Sequence, residues 1–400
     1  MPLSIRALAG GLIRRWGLLP GGLADGIGDD DKLGDAVLTT RAVVFFPDPP
    51  ENIYQLRQWY RALEALDEAM GVTVIVQDSR TAALVRDEAS LPVIAAGRTR
   101  TVGRLLERGR VRLVLYVGQS NANAVALRCA HVTHVFLNHG DSDKFVSVSN
   151  QVKAFDKVFV AGPAAVDRHA QALMFYDPAA HVRIVGRPQL PPSAQPAGGL
   201  TVLYAPTWEG TMTINAYSSV QAYGERLLRA LLADPEVSVI YRPHPRTGAS
   251  DKSFKAADQR LRSVLAAHPD RASVDVSPDP TQSFHRAHIM VSDVSAIATD
   301  WLGQGRPLVS FEPADPGARV AAPARLFSNT PHLNAANIDD GVAVVRSAIA
   351  DDESTKTLAE LADYYLGGLS AEQATERFVA ECESAAAECD AERARLGVEQ

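Results

Sequence analysis

The sequence predicts an α/β protein built from two doubly wound domains, each a parallel sheet covered by helices. Three observations carry that prediction. Short β-branched apolar runs alternate with longer amphipathic patterns, which is how parallel strands joined by helical crossovers read. The alternation stops once, between Gly186 and Gly199, where Pro188, Pro191, Pro192 and Pro196 prevent regular structure, and then restarts. The chain has 400 residues, more than a single hydrophobic core usually organises.

Taken in order, the elements begin with a stripe at Ile5, Leu8, Leu12, Trp16 and Leu19 on one helix face, with Arg6, Arg14 and Arg15 elsewhere. Such a helix fits either a terminal element packed on the body or an interfacial anchor on a membrane surface. Gly10 and Gly11 weaken it, and Arg14 and Arg15 interrupt the apolar run that a secretory signal needs. The predicted first-domain strands are Ala42 to Phe46, Val72 to Val76, Pro92 to Ala95, Leu113 to Val117, Val135 to Leu137, Lys157 to Val160 and Val182 to Val185. Predicted helices between them are Gln55 to Met70, Thr101 to Arg108, Asn121 to Cys129, Ser147 to Phe155 and Pro163 to Leu173. After the proline-rich stretch, strands are expected at Thr201 to Tyr204, Val237 to Tyr241, Ala272 to Val276, Ile289 to Ser292 and Leu308 to Phe311. Tyr223 to Leu232 and Phe254 to Ala267 are the clearest helices there. From Asn337 onward the pattern is helical. The expected division is 1–35 as an N-terminal segment, 36–190 and 200–350 as the two sheet domains, and 351–400 as C-terminal helices.

Composition removes several function classes. With 40 Lys+Arg against 47 Asp+Glu the net charge is −7, so no global positive field draws the molecule to nucleic acid, and phosphate recognition has to be local. Cys129, Cys382 and Cys389 are too few and too scattered for a disulfide scaffold or a zinc site, which favours a reducing cytoplasm. No run of about eighteen apolar residues is present, so no spanning helix is expected. Walker A, GxGxxG, GxSxG and HExxH patterns are absent, against P-loop NTPases, classical dehydrogenases, serine hydrolases and zincins.

In an open parallel sheet, ligands bind beyond the carboxyl ends of the strands, so polar residues that follow strand patterns are the ones to question. Four segments qualify. In Asn138-His139-Gly140-Asp141-Ser142-Asp143-Lys144, an imidazole on a tight turn suits general base chemistry near neutral pH, although a turn histidine satisfied by backbone reads the same. His131, His134, Asp141 and Asp143 raise a metal alternative, but their spacing matches no ligand pattern. In Tyr204-Ala205-Pro206-Thr207-Trp208, Pro206 ends the strand and Thr207 offers a hydroxyl. In Arg242-Pro243-His244-Pro245, two prolines stiffen a histidine beside an arginine, as a pyrophosphate site would use. In Ser292-Asp293-Val294-Ser295, Ser295 is placed to cap a helix whose amide groups attract phosphate; ordinary capping gives the same pattern.

Taken together and in this order, the segments resemble the CDP-glycerol glycerophosphotransferase family, which builds polyol-phosphate chains of teichoic acids and capsule polymers. His139-Gly140 with Lys144 is similar to its His-Gly-Thr-x-x-Lys element, and Tyr204 to Trp208 to its Tyr-Ala-Pro-Thr-Trp. Arg242 to Pro245 resembles its Arg-Pro-His-Pro, and Ser292-Asp293-x-Ser295 with Asp300 its Ser-Asp-x-Ser-Ser helix start. Tyr365-Leu366-Gly367-Gly368 and Ala374 to Arg377 resemble its C-terminal signature. The resemblance implies a GT-B-like arrangement of two Rossmann-like domains across a cleft. It also implies a CDP-glycerol or related CDP-polyol donor held by Thr207, Arg242, His244, Ser292, Asp293, Ser295 and Asp300. His139 would deprotonate a hydroxyl of a cell-envelope polymer or lipid-linked acceptor, with Lys144 neutralising phosphate charge and Asp141 the next candidate for the base. No cofactor is firmly implied; a divalent metal is compatible with the sequence but not required by it. The expected setting is cytoplasmic, with a membrane surface as an added partner if the N-terminal helix is an anchor.

Three departures stand out. Asp141 replaces the family's threonine, Ala296 its second serine, and Pro313-Ala314-Asp315-Pro316-Gly317 its usual aromatic and acidic run. They bear on the alcohol carried by the donor, for which ribitol phosphate is an alternative to glycerol phosphate. Two further readings compete: a GT-B glycosyltransferase using a nucleotide sugar, and a non-catalytic protein that binds envelope polymer. Retention of His139, His244, Ser295 and Asp300 together speaks against the second.

Overall fold

Strands of five or fewer residues, the central ones buried, make up two separate parallel sheets in the computed structural model, which describes residues 29–398. The helical stripe expected at 1–19 lies outside the described residues. The first sheet comprises β1 (Ala42–Phe46), β2 (Val72–Val76), β3 (Val93–Ala95), β4 (Leu113–Tyr116), β5 (Thr133–Phe136), β6 (Lys157–Val160) and β7 (Val182–Ile184). Its order is β3-β2-β1-β4-β5-β6-β7. The second comprises β8 (Thr201–Ala205), β9 (Ser238–Tyr241), β10 (Ala272–Val274), β11 (Ile289–Ser292), β12 (Leu308–Phe311) and β13 (His332–Leu333), in the order β10-β9-β8-β11-β12-β13. Every pairing is parallel. All five residues of β1 and of β2 are buried, as expected of strands covered by helices on both faces.

In each sheet the strand order reverses direction at one place, β1 beside β4 and β8 beside β11, and ligand crevices of open α/β sheets form at such switch points. The architecture is GT-B-like, with the two strand-end edges meeting through several contacts. Lys144 Nζ reaches Thr207, Phe145 N donates to the Tyr217 hydroxyl at 3.0 Å, and Ala321 N donates to Asp143 O at 2.7 Å.

The C-terminal helices tie both halves together. Tyr365, in the helix Asp352–Leu366, donates its hydroxyl proton to the Asp143 carboxylate at 2.8 Å and accepts from Leu326 N at 2.9 Å. The long helix Ala371–Leu396 starts with a capping box of Ser370 and Gln373. It returns to the first sheet, packing Phe378 against Trp59 and Phe159, burying Cys382 and Cys389, and pairing Asp390 with Arg41 and Arg112.

The structure departs from the sequence expectation at weakly patterned elements. The helix Ser79–Glu88, started by the Asp78 side chain accepting from Arg80 N, has a mostly polar run that hid it. The expected helix over 55–70 breaks after Arg57 and resumes at Tyr60, while 147–155 forms only 3₁₀ turns at Phe145–Ser147 and Asn150–Ala154. β13 has two residues, too few to leave a period.

Candidate active site

The loop after β5 presents His139. Asn138 adopts a left-handed conformation, φ 57°, which asparagine tolerates because its side chain bonds its own backbone. Its Oδ1 accepts from His139 N at 2.9 Å and its Nδ2 donates to Gly140 O at 2.7 Å. Trp59 Nε1 fixes the same residue from behind by donating to Asn138 O at 2.7 Å. The His139 Nδ1 lies 3.1 Å from the carbonyl oxygen of Val117, the residue after β4. A carbonyl can only accept, so Nδ1 carries the proton and Nε2 is left with its lone pair.

His244, in the loop after β9, is held in the opposite sense. Its Nδ1 lies 3.1 Å from the backbone N–H of Arg246, which can only donate. In the neutral ring the proton therefore sits on Nε2. Glu209 stiffens this loop further along, accepting from Gly248 N and Ser250 N, both at 2.9 Å, and from Ser250 Oγ. Trp208 stacks near the His244 ring at 6.3 Å, with the Arg246 guanidinium 4.4 Å from the indole centroid.

Between the two imidazoles stands Tyr54, which sequence reasoning missed. Its ring meets His139 edge-on at 5.9 Å and His244 edge-on at 5.5 Å. Arg246 crosses the cleft to donate to Asn52 Oδ1 at 3.0 Å. The missed signal was position: Asn52 and Tyr54 begin the segment that follows β1, at the switch point of the first sheet.

Lys144 brings the His139 loop to the second domain by donating from Nζ to Thr207 Oγ1 at 2.6 Å. Thr207 is fixed by Asp293, whose carboxylate accepts from Thr207 N at 2.8 Å and Ser219 N at 3.1 Å. Ser292 and Ser295 are neighbours, their hydroxyl oxygens 3.0 Å apart; Ser292 also donates to Ala205 O at 2.7 Å, and Ser295 caps the six-residue helix Ala296–Trp301. Thr207, Asp293, Ser292 and Ser295 thus gather at the β8/β11 switch point. The Asp293 carboxylate, bonded by these backbone amides, holds the Thr207 loop in place.

Other expected residues are engaged elsewhere. The Arg242 guanidinium pairs with Asp275 at 2.5 Å and donates to Ser277 O at 2.8 Å, which holds it against its own domain. Asp300 forms a two-pronged pair with Arg187 at 2.8 and 3.1 Å; the same guanidinium reaches His139 O and Gln58 Oε1. This pair braces the His139 loop against the second domain. Asp141 and Asp143 both pair with the buried Arg168, which leaves Asp141 poorly suited to act as a base. At Gly140 the chain passes close to the other domain. A Cβ at Gly140 would stand 2.7 Å from Ala296 Cβ.

Burial sets the electrostatics. It lowers the His139 imidazole to about 4, opposed by the Val117 carbonyl and reinforced by the Arg187 and Lys144 charges. It likewise holds His244 well below the ordinary histidine value, with Lys144 and His139 acting in the same direction. Both rings are neutral at pH 7. Burial also brings Lys144 down to about 8, against the attraction of Asp293, and pushes Asp293 up to about 6. The pair therefore consists of one imidazole able to take a proton and one able to donate a hydrogen bond, beside an ammonium that is mostly charged at neutral pH.

A larger cavity of about 620 Å³, lined by Glu209 to Thr213, Ser250, Phe254 and Asp315 among others, contains no basic residue and suits no phosphate. Among the described residues, no three His, Cys, Asp or Glu side chains gather closely enough to hold a metal ion. No described helix is long and apolar enough to cross a membrane.

Comparison with known proteins agrees with the motif resemblance. Residues 193–315 match the sequence signature of the CDP-glycerol:poly(glycerophosphate) glycerophosphotransferase family. Among solved structures, a protein described as a UDP-N-acetylglucosamine 2-epimerase from Listeria monocytogenes superposes with a TM-score of 0.59 at 12% identity, over 87% of this chain and 96% of that one. A variant of the wall teichoic acid polymerase TagF gives 0.58 at 11% identity, over 96% and 97%. Anabaena Alr3699/HepE, solved with UDP and glucose, gives 0.54 at 11%, over 86% and 100%. At these identities the likeness is one of fold. No curated protein sequence matches the chain.

Proposed function

We propose that the protein transfers glycerol phosphate, or a related polyol phosphate, from a CDP-activated donor to a hydroxyl of an envelope polymer or lipid-linked acceptor, releasing CMP. The observation that carries this reading is the pair of neutral histidines with opposite proton placement on the two sides of one cleft. The match of residues 193–315 to the glycerophosphotransferase signature supports it.

In this reading the second domain, about 200–350, holds the donor and the first, about 36–190, presents the acceptor. His244 Nε2–H, the Lys144 ammonium and the Thr207 hydroxyl contact the pyrophosphate. The acceptor oxygen attacks the phosphorus that carries the polyol, and its proton passes to His139 Nε2. The bond from that phosphorus to the bridging oxygen breaks, and CMP leaves with the electron pair. Transfer of this kind depends on in-line positioning and on neutralising phosphate charge, since little else in the step needs covalent help. Donor binding itself raises the basicity of His139, because a pyrophosphate placed nearby offsets the Arg187 and Lys144 charges that now depress it.

The test is nucleotide release from a panel of CDP-glycerol, CDP-ribitol and UDP-sugars, with and without a lipid-linked acceptor. Acceptor-dependent CMP release from a CDP-polyol is the expected result. UDP release from a UDP-sugar would replace this reading with that of a glycosyltransferase, and silence across the panel would favour a binding protein.

A further inference from the structure

The donor-side residues account for the switch point of the second sheet, but the switch point of the first sheet, between β1 and β4, has no role yet. Its loops carry an unusual set of groups. Asp48 lies two residues after β1, and its carboxylate is hydrogen-bonded by the Asn52 and Ser120 side chains. Gly118 lies two residues after β4 and leaves a gap over the sheet edge. The amide of Gln55 occupies that gap, with Oε1 only 2.3 Å, and Asp48 Oδ2 3.9 Å, from where a Cβ of residue 118 would stand. Gln55 is 8% exposed, and its Oε1 has no hydrogen-bond partner. A buried acceptor left unpaired is unfavourable, and a ligand donor can satisfy it.

Both groups, the Asp48 carboxylate and the Gln55 amide oxygen, accept hydrogen bonds, and the Gln55 oxygen is the unpaired one. They repel a phosphate and select a hydroxyl donor. Their place is adjacent to the base: Gly118 follows Val117, whose carbonyl holds His139 Nδ1, and Gln55 follows Tyr54, whose ring touches His139.

We infer that Asp48 and Gln55 form the acceptor subsite, binding a second, uncharged hydroxyl next to the one that reacts. The subsite takes the vicinal-diol end of a polyol or sugar and turns away a phosphate-terminated end. This assignment rests on the transferase reading for its place in the reaction, and on the β1/β4 corner alone for its chemistry. Burial raises the Asp48 carboxyl, opposed by its hydrogen bonds and by Arg246, consistent with a group that gains from a hydroxyl partner.

The experiment reads binding directly. Saturation-transfer NMR with the full chain and saturating CMP would use glycerol and 1,3-propanediol as probes, and phosphorus line broadening would read inorganic phosphate. Glycerol should bind the wild type at least fivefold more strongly than propanediol. Asp48→Ala and Gly118→Ala should each weaken glycerol at least fivefold and leave phosphate unchanged. Gly118→Ala is the guard against misfolding, because its methyl displaces only the flexible end of Gln55, and Asp48→Asn, which keeps one acceptor oxygen, should recover part of the signal. Absent glycerol binding, equal binding to all variants, or phosphate binding that depends on Asp48 would each overturn the subsite. CMP release from CDP-glycerol, measured on the same variants without added CMP, separates the two claims. Normal release with no Asp48 effect sinks the subsite alone, and a glycerol signal lost in Asp48→Ala without any CMP release sinks the donor reading alone.

Discussion

His139 and His244 are the same side chain in matching places, each in a loop that follows a strand of a parallel sheet and each half-buried against Tyr54. Both are neutral for the same reason, since burial among positive neighbours makes an imidazolium unfavourable. They differ in what meets Nδ1. A backbone carbonyl at His139 draws the proton there and frees Nε2 as a base, whereas a backbone amide at His244 pushes the proton to Nε2 and makes it a donor. The chemistry of each histidine is thus decided by a main-chain atom, from Val117 for one and from Arg246 for the other, and not by burial or charge.

The most damaging way to probe this contrast is to remove each ring. His139→Ala should lower kcat by about 10²- to 10⁴-fold, the usual cost of losing a general base, while the donor dissociation constant changes by less than about threefold. His244→Ala should weaken the donor by about tenfold to a hundredfold, as expected for one hydrogen bond to a charged oxygen, and should lower kcat less than His139→Ala does. Calorimetry with CDP-glycerol and single-turnover CMP release separate the two. Equal losses of affinity in both variants would mean that the two rings share one role and that the tautomer contrast is incidental.

The same contrast explains what was legible from the chain. Most strands announce themselves because a parallel strand buried on both faces is an unbroken β-branched run, as at Val72 to Val76. His139 and His244 were found because polar residues after such runs sit at the ligand edge. Their partners were not. Nothing near Arg242 in the chain shows that Asp275 will take its charge, nor does Asp300 show that Arg187 will. Asp48 and Tyr54 fall between the predicted strand Ala42 to Phe46 and the predicted helix Gln55 to Met70, and Gln55 counts as the first residue of that helix; a period reports a face without reporting what stands at the end of a strand. Nor does Gly140 show, in the local chain, that Ala296, 156 positions later as 296 − 140 gives, will stand against it.

A milder probe is pH. As pH falls through about 4, His139 gains a proton on Nε2 and the base is lost, so kcat/KM should fall on the acid side. As pH rises through about 8, Lys144 gives up its proton and the donor phosphates lose a counter-charge, so kcat/KM should fall again on the alkaline side. The plateau between is wider on the acid side than an ordinary histidine, near 6.5, would allow. Lys144→Arg tests the assignment, because a guanidinium stays charged throughout. The alkaline limb should vanish whatever the change in maximal rate; a limb that stays near 8 would assign it to another group.

The smallest expected effect concerns how the two histidines are brought face to face. Gly140 immediately follows His139, and Ala296 immediately follows Ser295 on the opposing domain, so the approach of the two sites runs through the contact of these residues. A methyl at Gly140 would stand 2.7 Å from Ala296 Cβ, and an alanine methyl has no rotamer by which to move aside. The backbone on one side has to retreat, which in a packed contact costs about 1–3 kcal/mol. Gly140→Ala should therefore lower the melting temperature and reduce turnover modestly, and Ala296→Gly in the same molecule should restore both, giving a coupling energy that two unrelated changes would not show. The competing role, access for an acceptor, makes a different forecast: Gly140→Ala would raise the acceptor KM at unchanged stability, and Ala296→Gly would not repair it. Melting curves and acceptor KM values for the wild type, both single variants and the double variant decide between clearance and access.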